Sequence, residues 1–218
     1  EGKLSKFFKA AIQNSPKADT AILANIGDFL HFDGLEALTP ANKHILDADS
    51  RFPKVVRTAI RVIRQIINML LQKYKKVDVI MAEGNHDPAS SVWLREMLYA
   101  FYENEPRVII DTNPNPYYCI TFGKVCLFYT HGHKRNMNNA ESTFVAKFRK
   151  EYGNAEFTYA HLGHRHHVQS ESNIMTREQH RTLAAKDAYA SREGYLSGRD
   201  AKVITYHRDY GEVGRQTI

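Results

Sequence analysis

Cysteine is nearly absent from this chain, with two in 218 residues. That is too few for a disulfide framework and leaves stability to a packed core. Cys119 and Cys126 flank a turn at Phe122-Gly123-Lys124, which places them to face each other across a hairpin as reduced, partly buried thiols. No apolar run approaches the roughly 20 residues of a membrane span. The nearest, Ile66-Ile67-Asn68-Met69-Leu70-Leu71, falls inside an amphipathic helical pattern, so no membrane partner is expected. Internal repeats, low-complexity segments and a second composition regime are also missing. One domain over residues 1–218, in a cytoplasmic protein, is the expectation.

What is abundant is positive charge and a repeated strand ending. The formal net charge is +6 and the sequence pI about 9.2, a balance that favours polyanionic partners, nucleic acid above all. Lys54, Arg57, Arg61 and Arg64 form a stripe at helical spacing, open to two readings: a solvated helix face or a nucleic-acid track. Four short apolar runs each end in metal-binding side chains. Residues 21–26 lead into Gly27-Asp28, and 77–81 into Gly84-Asn85-His86-Asp87. Residues 125–129 lead into His131-Gly132-His133, and 157–160 into His161 and Gly163-His164-Arg165-His166. Such runs read as buried strands, and open sheets hold ligands outside the carboxyl ends of their strands. Four strands delivering Asp, Asn and His to one sheet edge describe a metal centre.

Helical and strand-like segments alternate, which predicts an α/β or layered sheet core. Helices are expected over 4–14, from Pro53 to about Lys76, over 91–103 and over 137–152. Strands are expected over 20–27, 108–110 and 157–162, with a hairpin over 117–130. Residues 32–51 and 168–200 read as loops, and 201–206 as a final strand turning at Asp209-Tyr210-Gly211.

The four endings, in this order, resemble the motifs of the calcineurin-like metallophosphoesterases over about residues 20–166. The resemblance implies an α/β fold of layered sheets, a β-sandwich flanked by helices. The family's opening Asp-x-His is not present. Leu4, Phe7, Phe8, Ala11 and Ile12 already have the spacing of the helix that follows that motif, so the numbered chain is expected to begin just past it.

Carried over residue by residue, the resemblance implies two divalent metal ions bridged by Asp28. Asn85, His131 and His164 match ligands of one ion and His166 a ligand of the other. A mixed nitrogen and oxygen set suits Mn, Fe, Zn, Co or Ni, with Mn favoured, over Mg or Ca. His86, beside a ligand in the same tight loop, matches the general acid. His31, three residues after Asp28, resembles the double-strand-break repair exonucleases rather than the phosphoprotein phosphatases. It is expected near the scissile phosphate, or as a partner of the groups that are. His133 is a weaker candidate, His161 and His167 read as structural or exposed, and His44, His180 and His207 carry no spacing argument. Asp87 is expected to close its own loop. Asp187-Ala188-Tyr189 with Arg192 is open to two readings, a plain polar loop, which is favoured, and a substrate flap.

The leading expectation is a dinuclear metal-dependent phosphodiesterase or nuclease acting on a phosphate ester. The alternatives are a phosphomonoesterase, a small cyclic-nucleotide phosphodiesterase, or a degenerate scaffold that keeps the fold for binding partners.

Overall fold

The structure, a computed structural model, describes residues 2–40, 43, 45–46, 51–183 and 198–218. His44 and the segment Asp187-Ala188-Tyr189 with Arg192 lie outside them. Five helices and ten strands in three sheets give a mixed α/β architecture among the described residues. Two compact units meet in the sequence between Pro114 and Asn115.

The first unit holds α1 (Gly2–Asn14), β1 (Thr20–Asn25), α2 (Phe52–Leu71), β2 (Lys76–Met81), α3 (Pro88–Tyr102) and β3 (Val108–Ile110). Its strands make a three-stranded parallel sheet in the order β1-β2-β3. The central strand β2 is buried on both faces, hence its nearly unbroken apolar run. The amphipathic stripe of α2 packs on it through Val62, Ile63, Ile66, Ile67 and Leu70. Leu94 and Leu98 of α3 and Leu4, Phe8 and Ile12 of α1 join the same core. α2 stops at Leu71, earlier than its periodicity suggested, because the Leu70 carbonyl closes a turn with the Lys73 and Tyr74 amides. Lys73 then reaches the carbonyls of Ile12 and Ser15 and caps the end of α1, where the helix dipole favours a cation.

The expected helix over 91–103 starts earlier, at Pro88, and leaves part of its apolar side exposed. Trp93 is 79% and Phe101 51% exposed. Its first turn is satisfied from a distance: Asp33 accepts hydrogen bonds from the Ala89 and Ser90 amides at 2.8 and 2.7 Å. A carboxylate there complements the helix N-terminus.

The second unit holds β4 (Tyr118–Phe122), β5 (Val125–Thr130), α4 (Met137–Lys147), α5 (Arg149–Gly153), β6 (Phe157–Leu162), β7 (Gln169–Ser172), β8 (Thr176–Gln179), β9 (Lys202–His207) and β10 (Gly211–Thr217). A five-stranded sheet runs β4-β5-β6-β8-β7, with β5, β6 and β8 mutually parallel and antiparallel strands at both edges. Phe128 stacks on Phe144 of α4 with ring centroids 4.9 Å apart, and Cys126, Ala140, Ala160, Leu162 and Met175 complete the core. Across the β4–β5 hairpin, Cys119 and Cys126 are free thiols with their sulfurs 3.3 Å apart.

Two expectations are corrected. The four strands that carry the candidate ligands do not share one sheet edge: β1 and β2 lie in the three-stranded sheet, β5 and β6 in the five-stranded one. Each pair is a parallel unit with its own crossover helix, α2 or α4, so each closes its own core. The polar stretch 168–200 is not wholly loop, because it contains β7 and β8. Those strands carry polar residues that are paired: Arg177 lies 3.0 Å from Glu171 and donates to the Met137 carbonyl at 3.0 Å.

β9 and β10 form an antiparallel pair that fastens to β6 and the β4–β5 turn. The Glu212 amide donates to the Tyr159 hydroxyl at 2.9 Å, and the Lys124 amide to the Arg208 carbonyl at 2.7 Å. Gly211 makes this approach possible. Its φ is 72°, and a Cβ would overlap the Tyr159 hydroxyl and the Phe157 ring. Gly211→Ala should therefore lower the urea midpoint by the equivalent of roughly 1–3 kcal/mol. Gly214→Ala, where a Cβ meets nothing, should leave the midpoint almost unchanged.

Candidate metal centre

In the first unit the parallel register pairs Asn25 with Met81, so β1 and β2 end side by side and release their loops together. The Ala82 amide continues the pairing by donating to the Asn25 carbonyl at 2.9 Å. Asp28 follows β1, and its Oδ1 accepts the His86 amide at 2.9 Å. Gly84 sits under this contact: a Cβ there would overlap the Asp28 carboxylate and backbone nitrogen. The glycine of Gly84-Asn85-His86-Asp87 is thus a requirement for close approach. Asp87, 1% exposed, ties the two loops. One carboxylate oxygen accepts the Gly84 amide at 3.2 Å and the other the Leu30 amide at 2.9 Å, which bears out its expected role as a loop closure.

The two candidate catalytic imidazoles are neighbours in this unit. His86 Nδ1 lies 3.0 Å from the His31 carbonyl. That oxygen only accepts, so Nδ1 carries the proton and Nε2 is the ring atom left to meet a ligand or leaving group. The rings of His31 and His86 are nearly parallel, with centroids 6.2 Å apart.

In the second unit β5 and β6 also end together, Thr130 opposite Leu162. The Gly163 amide donates to the His131 carbonyl at 3.0 Å. His131 is 2% exposed, and its ring centroid lies 5.1 Å from His164 and 5.3 Å from His133. Candidate ligand nitrogens of His131 and His164 fall within 4.8 Å of each other, close enough to share an ion. His133, the weaker candidate by sequence, belongs to this cluster. Its only signal was its place two residues beyond His131.

The backbone adds a separate mark. Among the described residues, four that are not glycine have positive φ: Asp28 (53°), Lys43 (56°), His164 (71°) and His166 (55°). Three of these four are candidate ligands. The left-handed region costs a side-chain-bearing residue on the order of 1 kcal/mol or more and gathers at functional sites. Asp, Asn and His are the donor types that suit borderline divalent metals, so the residues fit such ions on chemistry as well as on backbone.

A second cluster of metal-binding types, His161, Glu178 and His180, lies in the second unit, and no sequence spacing brings these three together. Its wiring argues against a cation. Arg215 donates to both Glu178 oxygens at 2.8 and 2.9 Å, and Lys202 binds the same carboxylate. A divalent ion would meet two cations around one carboxylate. The imidazoles are satisfied instead by each other, His161 Nδ1 to His180 Nε2 at 2.9 Å, and by Tyr206 at 2.8 Å from His161 Nε2. Burial, then the neighbouring His180, holds His161 down to about 3. Burial above all brings His180 down to about 4. Burial works to raise Glu178, but the hydrogen bonds from Arg215 and Lys202 outweigh it and bring the carboxyl to about 2.

This network makes a pH prediction. Below the ordinary imidazole value near 6.5, the unfolded chain protonates both histidines while the folded chain does not. Stability is therefore full above about pH 6.5 and falls as the pH drops toward the folded values near 4 and 3. The slope should be about 1.4 kcal/mol per pH unit for each imidazole kept neutral. Urea midpoints between pH 7 and 4 should show it, and His180→Gln should flatten it. An unchanged slope in that variant would place the acid sensitivity elsewhere.

No family model matches the chain, and no curated protein does. Among solved structures it is similar to a conserved uncharacterized protein from Streptococcus pneumoniae TIGR4, described as a predicted phosphoesterase. The identity is 11% and the TM-score 0.34, over 57% of this chain and 67% of that one. A likeness so loose identifies neither fold nor chemistry.

Proposed function

We propose that the protein is a metal-dependent phosphoesterase whose centre takes two divalent ions, with its sheets layered as a β-sandwich flanked by helices. In this reading Asp28 would be shared by the ions, Asn85, His131 and His164 would hold one, and His166 would hold the other. The observation that carries it is the left-handed backbone at Asp28, His164 and His166. Strain of that kind at three of the five assigned ligands is hard to account for by packing alone. The histidine cluster in the second unit and the fastening of Asp28 by the His86 amide support the same reading.

Two divalent ions at such a centre supply charge neutralisation on phosphoryl oxygens and a low-pKa water. The chain supplies the rest. The Asp28 carboxylate is held in one orientation by the His86 amide, so it does not have to be ordered on binding. His86 is oriented by its Nδ1–H bond to the His31 carbonyl, and in its imidazolium form it would give the Nε2 proton to a departing alkoxide. His31, stacked beside it, offers a second imidazole to the phosphoryl group. A site that adds an imidazole rather than another carboxylate suits the single negative charge of a phosphodiester, and manganese suits the donor set.

His164→Ala should lower bound metal, measured by elemental analysis after loading with Mn, and abolish hydrolysis of bis-p-nitrophenyl phosphate. His86→Ala should keep its metal and lose roughly two to four orders of magnitude in turnover on an alkyl phosphodiester. An aryl ester with a low-pKa phenol should lose less, because its leaving group needs little protonation. Full metal and full activity in His164→Ala would remove the proposed ligand set. Equal losses on both esters in His86→Ala would remove its role as acid.

A further inference from the structure

α1 and α2 are helices of 13 and 20 residues, and neither contains an Asp or a Glu, although the chain holds 24 acidic residues. Surface helices ordinarily interleave the two signs, because acid–base pairs three or four residues apart stabilise them. Here only the basic sign is present. Lys6, Lys9, Lys54, Arg57, Arg61 and Arg64 are all exposed. The two helices are neighbours: Ser5 Oγ donates to Gln65 Oε1 at 2.8 Å. Lys9 lies one turn from Ser5 and Arg61 one turn from Gln65, so the lysines of α1 flank the stripe on α2.

The stripe is straight and held in place. From Lys54 to Arg64 it runs about 15 Å along the axis, and three of its four members are arginine, whose planar fork matches phosphate oxygens. Arg64 is positioned by aromatic partners, with its guanidinium 4.3 Å from the Phe101 ring centroid. The other face of α2 is committed to the core through Val62, Ile63, Ile66, Ile67 and Leu70. No apolar stripe remains for insertion into a bilayer, which argues against an anionic membrane as the occupant. The stripe also begins beside the candidate site: Phe52 at the start of α2 packs on Phe32, next to His31, with ring centroids 5.5 Å apart.

From these two helices, whose charged side chains are all basic, we infer that α1 and α2 form a docking track for a nucleic-acid backbone. About 15 Å corresponds to roughly four successive phosphates of one strand at about 3.4 Å each. Binding stands on this face alone. That the docked strand is also the substrate rests on the phosphoesterase reading.

The test measures the two parts separately. Anisotropy of a labelled 30-nucleotide DNA, single- or double-stranded, is followed in EDTA from 50 to 300 mM KCl, so that no hydrolysis intervenes. The wild-type protein should bind, with a log–log salt slope of about 0.9 per contacted phosphate on duplex and about 0.7 on single strands. Lys54→Gln/Arg57→Gln/Arg61→Gln should weaken binding at least about tenfold at 50 mM KCl and flatten the duplex slope by up to about 2.7. Should that variant fail to fold by circular dichroism, Lys6→Gln/Lys9→Gln should flatten it by up to about 1.8. No DNA binding by the wild-type protein at 50 mM KCl, or wild-type slopes in the folded variants, would overturn the inference. So would phosphatidylserine vesicles binding more tightly than DNA and losing that affinity in the variants. Hydrolysis of bis-p-nitrophenyl phosphate with Mn should be the same in wild type and variants. DNA binding without hydrolysis of any ester would leave the docking track standing and remove the phosphoesterase reading.

Discussion

The loop after β1 and the loop after β2 are held against each other by two carboxylates, and the geometry of the first unit's candidate residues depends on that clamp. Asp87 spans them by accepting the Gly84 and Leu30 amides. Asp28 spans them in the other direction by accepting the His86 amide. Neither contact could form without a residue lacking a Cβ at position 84, and neither loop would arrive without the parallel register that pairs Asn25 with Met81. The clamp orients a candidate metal-bridging carboxylate and a candidate proton donor through the same few backbone atoms. A charge-assisted hydrogen bond to a fixed amide also means that little ordering is left for the moment of binding.

The strands that carry candidate ligands were legible because burial on both faces leaves a nearly unbroken apolar run, as in Val77–Met81, interrupted only by Asp78, and Val125–Tyr129. Their endings were legible because Gly, Asp, Asn and His rarely fall in series after such runs by accident. Division of those runs between two sheets was not legible, since a periodicity says which residues are buried and not which strand they pair with. β7 and β8 escaped for a different reason. Half-buried Arg177 and buried Glu178 are held in ion pairs with Glu171, Lys202 and Arg215, and a sequence shows charge but not its partner. The cap that Asp33 places on α3 was hidden in the same way, because it crosses 56 residues of chain.

Of the candidate site residues, position was readable and conformation was not. Nothing in Gly27-Asp28 or Gly163-His164-Arg165-His166 announces a left-handed backbone at the non-glycine members. His133 was undervalued because its spacing from His131 fits a loop as well as a cluster. His161 and His180 show the opposite hazard. They sit with a carboxylate in a geometry that resembles a ligand set, yet Lys202 and Arg215 already neutralise that carboxylate. Local charge balance separates the two clusters where residue type does not.

The proposal of a metal centre that includes Asp28 is tested most directly by anomalous diffraction from Mn-loaded crystals of the whole chain. The account predicts two manganese peaks about 4 Å apart, bridged by the Asp28 carboxylate. His131 and His164 should contact one of them, and the His161–His180–Glu178 cluster should hold none. Manganese at the latter cluster, or no peak touching Asp28, would contradict it.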